Sequence, residues 1–128
     1  LYGGSGNDTI TGSNGDDRII GGYGADTLSG SNGADTFVYL SQRDTGDTII
    51  SFNQADDLID LSALGLTGGF LGSVSGGGVI GAHQFGYAAV GSTTVIFIDT
   101  DGIVGADLEI TLNSLLTLTS GVGDDFVI

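Results

Sequence analysis

The sequence predicts an all-β fold, a parallel β-roll of nonapeptide repeats followed by an antiparallel β cap. Two observations carry that expectation. Residues 3–38 repeat every nine residues, with Gly, Asp and a large apolar side chain each at a set position. Farther on, Thr93–Ile98 and Asp107–Leu112 alternate apolar and polar residues around a turn-forming stretch. The roll is expected over residues 1–46 and the cap over 47–128.

The repeat units read Gly3-Gly-Ser-Gly-Asn-Asp-Thr-Ile-Thr11, Gly12-Ser-Asn-Gly-Asp-Asp-Arg-Ile-Ile20, Gly21-Gly-Tyr-Gly-Ala-Asp-Thr-Leu-Ser29 and Gly30-Ser-Asn-Gly-Ala-Asp-Thr-Phe-Val38. Positions one and four are always Gly, and position six is always Asp (Asp8, Asp17, Asp26, Asp35). Position eight is always large and apolar (Ile10, Ile19, Leu28, Phe37). Nine residues suit a tight turn joined to a short strand. The first six form the turn, where Gly tolerates sharp bends. The last three form a strand that sends the position-eight side chain inward. Two units complete one coil, so the first stacks on the third and the second on the fourth.

That stacking has an electrostatic consequence. Coils lie about 4.8 Å apart, which brings Asp8 near Asp26 and Asp17 near Asp35. Two bare carboxylates about 5 Å apart repel by roughly 3 kcal/mol at an effective dielectric near 20. One large apolar side chain per unit does not readily offset that and the ordering of the backbone. A cation between the turns reverses the sign. Calcium takes six to eight oxygens in a forgiving geometry, and carboxylates with turn carbonyls supply them. A flexible linker needs no apolar residue at position eight, and a metal-free solenoid needs no Asp at position six. The pattern therefore points to Ca²⁺.

Composition narrows the partners. The 128 residues carry 16 acidic groups against two basic ones, a formal charge of −14. Such a chain does not bind nucleic acid through phosphates or an anionic membrane surface. No apolar run approaches a membrane-spanning length, so no membrane insertion is expected. The absence of cysteine excludes disulfides and thiol chemistry, and is compatible with an extracellular protein. Leu1-Tyr2 reads as the end of an earlier nonapeptide, so a longer roll and an upstream passenger domain of the same chain are expected.

Beyond Val38 the period decays. Tyr39-Leu-Ser-Gln-Arg-Asp44 keeps the Asp but loses both glycines, as a degenerate last turn would. Thr48–Phe52 is expected as a strand, and Asp56–Leu64 as a short helical turn closed by Gly65. Residues 65–82 read as loop, with a brief strand at Val79-Ile80. Phe85–Val90 alternates weakly, while Thr93–Ile98 and Asp107–Leu112 are expected to form a hairpin. Leu115–Thr119 and Phe126–Ile128 are further strand candidates.

With these motifs, the chain resembles the C-terminal domain of serralysin-type secreted metalloproteases, an RTX calcium-binding β-roll domain. The residues that carry the resemblance are the nonapeptides, Asp35-Thr-Phe-Val-Tyr39, Asp57-Leu-Ile-Asp-Leu-Ser62, and Asp99-Thr-Asp-Gly102 with Asp107-Leu-Glu-Ile110. Similar domains occur on lipases and mannuronan epimerases. The resemblance implies a non-catalytic calcium-binding module of a larger bacterial protein, secreted by type I machinery and folded by calcium outside the cell. It also implies ligand sets formed between turns eighteen residues apart. One would use Gly4, Gly6 and Asp8 with Gly21, Tyr23 and Asp26. A second would use Ser13, Gly15 and Asp17 with Gly30, Asn32 and Asp35. A third would use Gly22, Gly24 and Asp26 with Tyr39, Ser41 and Asp44, and a fourth would join Ser31, Gly33 and Asp35 to Asp57. The ending Asp125-Phe-Val-Ile128 resembles the extreme C-terminal export motif of that group, and reads equally as a final strand.

Rival readings have less behind them. A carbohydrate-binding accessory module, as the epimerase resemblance implies, would take a polysaccharide partner; two arginines and no tryptophan speak against it. No catalytic constellation is evident, His83 being the sole histidine. The Asp99–Gly105 stretch has a partial likeness to an EF-hand loop, but Ile103 and Ile110 stand where ligands belong. It reads as a polar hairpin turn. Arg18 and Arg43 are expected on solvated faces, with Arg43 placed to orient Asp44.

Overall fold

The computed structural model describes residues 1–74, 83–103, 105–119 and 124–128. The repeats form strands β1 (Tyr2–Ser5), β2 (Thr9–Thr11), β3 (Arg18–Tyr23), β4 (Thr27–Ser29) and β5 (Thr36–Val38). The later chain adds β6 (Asp47–Ile49), β7 (Leu58–Asp60), a 3₁₀ turn (Ser62–Leu64), β8 (Gly69–Ser73) and β9 (Gln84–Val90). It ends with β10 (Thr93–Ile98), β11 (Leu108–Leu112) and β12 (Phe126–Val127).

Two sheets result, ordered β1-β3-β5-β7-β12 and β2-β4-β6-β11-β10-β9-β8. Units two apart are neighbours, as the period requires. Thr9, Ile10 and Thr11 pair in parallel with Thr27, Leu28 and Ser29, and Arg18 and Ile19 pair with Thr36 and Phe37. The alternation of strands between the sheets turns every position-eight side chain toward the space between them. Ile19, Leu28 and Phe37 are fully buried there with Ile49 and Ile59, and Ile10 packs against them at the first coil.

The same two sheets continue past the repeats. β6 pairs with β4, placing Thr48 opposite Thr27, and β7 pairs with β5, placing Ile59 opposite Phe37. The antiparallel part is built on β6: β11 joins it in parallel, then β10 and β9 follow antiparallel. The hairpin read from alternation is present, with Ile98 opposite Leu108.

Several local expectations differ from the structure. The strand expected at Thr48–Phe52 begins one residue earlier and ends at Ile49. The helical turn expected at Asp56–Leu64 is a strand followed by a 3₁₀ turn that Gly65 closes in the left-handed region at φ 66°. Leu58 and Ile59 pair with β5, and that ladder outweighs local helical tendency. Part of the expected 65–82 loop is β8, held by β9. The Leu115–Thr119 stretch is not a strand, since its amides go to side chains in place of a ladder, Leu116 to Thr94 Oγ1 at 2.9 Å and Thr119 to Asp125 Oδ2 at 2.8 Å. Val79-Ile80 lies outside the described residues.

The C-terminal segment is a rung of the roll. β12 lies parallel on β7, and Ile59 and Leu61 donate their amides to the carbonyls of Asp125 and Val127, each at 2.8 Å. Phe126 closes an aromatic cluster, its ring 5.0 Å from that of Phe85 and 5.4 Å from that of Phe70.

Candidate metal centre

The roll's turns line up into two ladders of carboxylates. Along one, the Asp8 amide donates to Asp26 Oδ1 at 2.7 Å, and the Asp26 amide donates to Asp47 Oδ1 at 2.9 Å. Along the other, the Asp17 amide donates to Asp35 Oδ1 at 2.9 Å, and the Asp35 amide donates to Asp57 Oδ1 at 3.0 Å. Asp26, Asp47, Asp35 and Asp57 thus each spend one oxygen on the coil before. The second oxygen is the notable one. Oδ2 of Asp8, Asp26, Asp35 and Asp47 is buried with no hydrogen-bond partner. A buried carboxylate oxygen without a partner is costly, because it has lost water and gained nothing.

The position-one glycines follow from where those oxygens lie. A Cβ on Gly3 would stand 2.6 Å from the Gly21 carbonyl oxygen and 2.8 Å from Asp8 Oδ2. Cβ atoms on Gly21 and Gly30 would run into Oδ2 of Asp26 and Asp35, and one on Gly12 into the Gly30 carbonyl. The turn interior is therefore packed with oxygens that leave no room for a side chain. Gly22, Gly24 and Gly33 add a second reason. Their φ angles are 100°, 131° and 135°, and their Cβ atoms would meet the carbonyls of Gly4, Gly6 and Gly15 on the adjacent coil.

The residues expected as ligands are brought together as follows. Gly4 faces Gly22, the Gly6 amide donates to the Tyr23 carbonyl at 2.7 Å, and Asp8 stacks on Asp26 beside Gly21. On the opposite edge the Gly15 amide donates to the Asn32 carbonyl at 2.8 Å, and the Asn32 amide to the Ser13 carbonyl at 3.3 Å. Asp17 stacks on Asp35 there, next to Gly30, and its Oδ2 accepts the Ser13 amide at 2.9 Å. Ser31 adopts a φ of 84° and Gly33 one of 135°, and the Asp35 amide after them reaches Asp57 on the next coil.

The last turn departs from expectation. Asp47, not Asp44, is the rung that follows Asp26. Asp44 sits within its own turn, where its Oδ2 accepts the amides of Leu40 at 3.0 Å and Ser41 at 3.2 Å. Its charge and that of Asp26 nonetheless act on Asp47, so three carboxylates converge. Burial foremost, and then these two charges, push the Asp47 carboxyl up to about 7 against the Asp26 amide hydrogen bond that favours its ionised form. Tyr39 stands fully buried beside them. Burial first, and then the Asp47 charge, hold its hydroxyl well above the usual phenol range. Asp57 is also raised, chiefly by burial. Arg43 does not orient Asp44; its guanidinium lies 5.8 Å over the Tyr23 ring.

Asp47 was absent from the sequence-derived ligand set, although a signal for it exists. Asp8, Asp26, Asp35 and Asp47 are all followed by Thr and then a large apolar residue. The Asp-Thr-apolar tripeptide marks the rung even where the glycines have gone.

The donor set can be tested against a metal from these features alone. Every free group is a hard oxygen, and those with no partner are buried: four carboxylate oxygens and the Tyr39 hydroxyl. Nitrogen and sulfur donors are absent from the turns. A hard cation with many oxygen ligands fits such a site, and a soft one does not. Residues 2–45 match the RTX calcium-binding nonapeptide repeat in 4 copies.

Residues 2–45 are RTX calcium-binding repeats. The match takes in Asp8 and Asp26 of one ladder and Asp17 and Asp35 of the other, and stops before Asp47 and Asp57. Over more of the chain, the fold is similar to the solution structure of the AlgE6R3 subunit from the Azotobacter vinelandii mannuronan C5-epimerase. The TM-score is 0.51 at 26% identity, covering 87% of this chain and 72% of that one. No curated protein sequence matches the chain. The RTX turns here are thus calcium-binding turns on an all-β roll, and among the described residues no helix is long and apolar enough to cross a membrane.

Proposed function

We propose that this chain is a non-catalytic calcium-folded module of a larger secreted bacterial protein. It binds calcium in the RTX turns, folds on binding after type I export, and carries the export signal near its C-terminal end. The observation behind this reading is the set of buried, partnerless Oδ2 atoms on Asp8, Asp26, Asp35 and Asp47. Without a cation these oxygens oppose the very stacking that builds the core. A ligand that binds only the folded state stabilises it by mass action, so folding should follow calcium concentration.

The ligands proposed are those of the two ladders. Gly4, Gly6 and Asp8 act with Gly21, Tyr23 and Asp26; Ser13, Gly15 and Asp17 act with Gly30, Asn32 and Asp35. In the last turn, Gly22, Gly24 and Asp26 act with Tyr39, Ser41 and Asp44, and Asp47 joins them. Ser31, Gly33 and Asp35 act with Asp57. Extracellular calcium modules commonly bind at roughly 10⁻⁴–10⁻³ M. A low-calcium cytosol would leave the chain unfolded and threadable.

Circular dichroism in a chelator, then across a calcium titration, tests this reading. The expected result is a coil spectrum that converts to β-structure at millimolar calcium. A β-rich spectrum in chelator that calcium leaves unchanged would defeat it. Likeness to a subunit of a mannuronan C5-epimerase supports a second reading, in which the module also holds a polysaccharide. Titration of the calcium-loaded chain with alginate, giving no heat and no shifted resonances, would remove that option.

A further inference from the structure

Outside the roll, the β10–β11 hairpin folds its own carboxylates together. The Asp107 amide donates to the Ile98 carbonyl at 2.9 Å, so Asp99 and Asp107 flank the mouth of the connecting loop. Asp101 lies between them in sequence. One carboxylate oxygen from each of Asp99, Asp101 and Asp107 lies within 4.8 Å of the others. The loop is wrapped around these groups. Asp99 Oδ1 accepts the Gly102 amide at 2.7 Å and the Asp101 amide at 3.1 Å. Asp107 Oδ2 accepts the Thr100 amide at 2.7 Å.

Those bonds alone would describe a polar turn, which is how the sequence reads. A separate observation points to a ligand. Asp99 is 1% exposed, and its Oδ2 is buried with no hydrogen-bond partner. It is in the same condition as the rung oxygens of the RTX turns. No side-chain cation is at hand in this part of the chain, because residues 84–128 contain no Lys, Arg or His. Three acidic groups converge, and one of them has a dry, bare oxygen.

We propose that Asp99, Asp101 and Asp107 form a second kind of cation site, separate from the nonapeptide turns, for a hard divalent ion of the calcium type. The donor set is all oxygen and flexible in spacing, which suits calcium over a metal that favours nitrogen or sulfur. Ile103 and Ile110 still stand where an EF-hand needs ligands. The loop solves that differently, taking its third carboxylate from Asp107, the residue just before the returning strand. The site also touches the roll, since the Thr100 hydroxyl is 2.7 Å from the Gln42 side-chain oxygen in the last turn. An ion here would fasten the hairpin next to the RTX turns.

The test uses the full chain in saturating calcium, with bound ions counted by equilibrium dialysis. Asp101→Asn removes a charge from an exposed side chain and keeps the acceptor that Asp101 Oδ1 offers to the Ile103 amide. The expected result is one calcium fewer per chain, with an unchanged far-ultraviolet spectrum. An unchanged count would overturn the proposal. In parallel, substoichiometric Mn²⁺ is added to the calcium-loaded wild-type chain and amide resonances are followed. Broadening of Thr100 and Gly102, with Gly91 on the β9–β10 turn unaffected, is expected. Sharp Thr100 and Gly102 signals beside broadened RTX-turn signals would overturn it. Failure of the RTX sites themselves would show as sharp signals at Gly22 and Gly33, a different outcome.

Discussion

Asp26 is the middle rung of its ladder, so neutralising it should act in opposite directions with and without calcium. Asp26→Asn keeps an oxygen for the Asp8 amide, which Asp26 Oδ1 now accepts at 2.7 Å. It removes a charge that is 2% exposed and stacked between Asp8 and Asp47. With carboxylates about 4.8 Å apart, each neighbour repels it by roughly 3 kcal/mol at an effective dielectric near 20. Solvent at the turn edges lowers that, but relief of ~1–3 kcal/mol in chelator is expected. In calcium the same change withdraws a charged ligand from two successive sites. The calcium midpoint of folding should then rise about tenfold or more, a loss on the order of 1.4 kcal/mol or more. Circular dichroism titrations of wild type and variant measure the midpoint, and urea melts in chelator and in calcium measure the two signs. Asp60→Asn is the control, because Asp60 bonds Ser62 and lies off both ladders. Equal midpoints for Asp26→Asn and wild type would refute the ladder argument. So would equal destabilisation in chelator and in calcium.

Other consequences are open to measurement. Gly30→Ala places a methyl group in the Asp35 carboxylate at a backbone without positive φ, so it should raise the calcium midpoint several-fold. An unaltered midpoint would show that the turn interior has room. Phe126→Ala removes a 4% exposed ring from the aromatic cluster and should cost ~3–5 kcal/mol in calcium-saturated urea unfolding. A cost under 1 kcal/mol would mean that β12 does not hold the roll. The pH dependence follows from Asp47, whose carboxyl in the metal-free fold is raised from 3.8 to about 7. A raised pKa gives stability that is present at acid pH and lost as pH rises through the folded value. Allowing for solvent screening, ~2 kcal/mol of metal-free stability should vanish between about pH 4 and pH 7. Calcium-depleted protein should therefore show more β-structure at pH 4.5 than at pH 7.5, and the opposite order would refute this assignment.

The roll, its register and the kind of ion are legible along the chain. Those follow from a nine-residue period, because period decides which turns stack and which side chain points inward. Ile19, Leu28 and Phe37 could be assigned to the core, and Asp8 and Asp26 placed on neighbouring coils, without coordinates. The hairpin of Thr93–Ile98 and Leu108–Leu112 was legible for a similar reason, since strict alternation survives wherever one face is buried. Asp47 was not read as a rung. The turn before it is longer, so counting by nines ends on Asp44, and the pairing of β6 with β4 shows that the tripeptide at Asp47, not the count, continues the ladder. The tail's place in the fold was likewise not legible, because four residues do not say which strand they join, and β7 is that partner. The convergence of Asp99, Asp101 and Asp107 depended on the closing of the hairpin. Local periodicity is written along the chain; desolvation of a single oxygen is decided by everything packed around it.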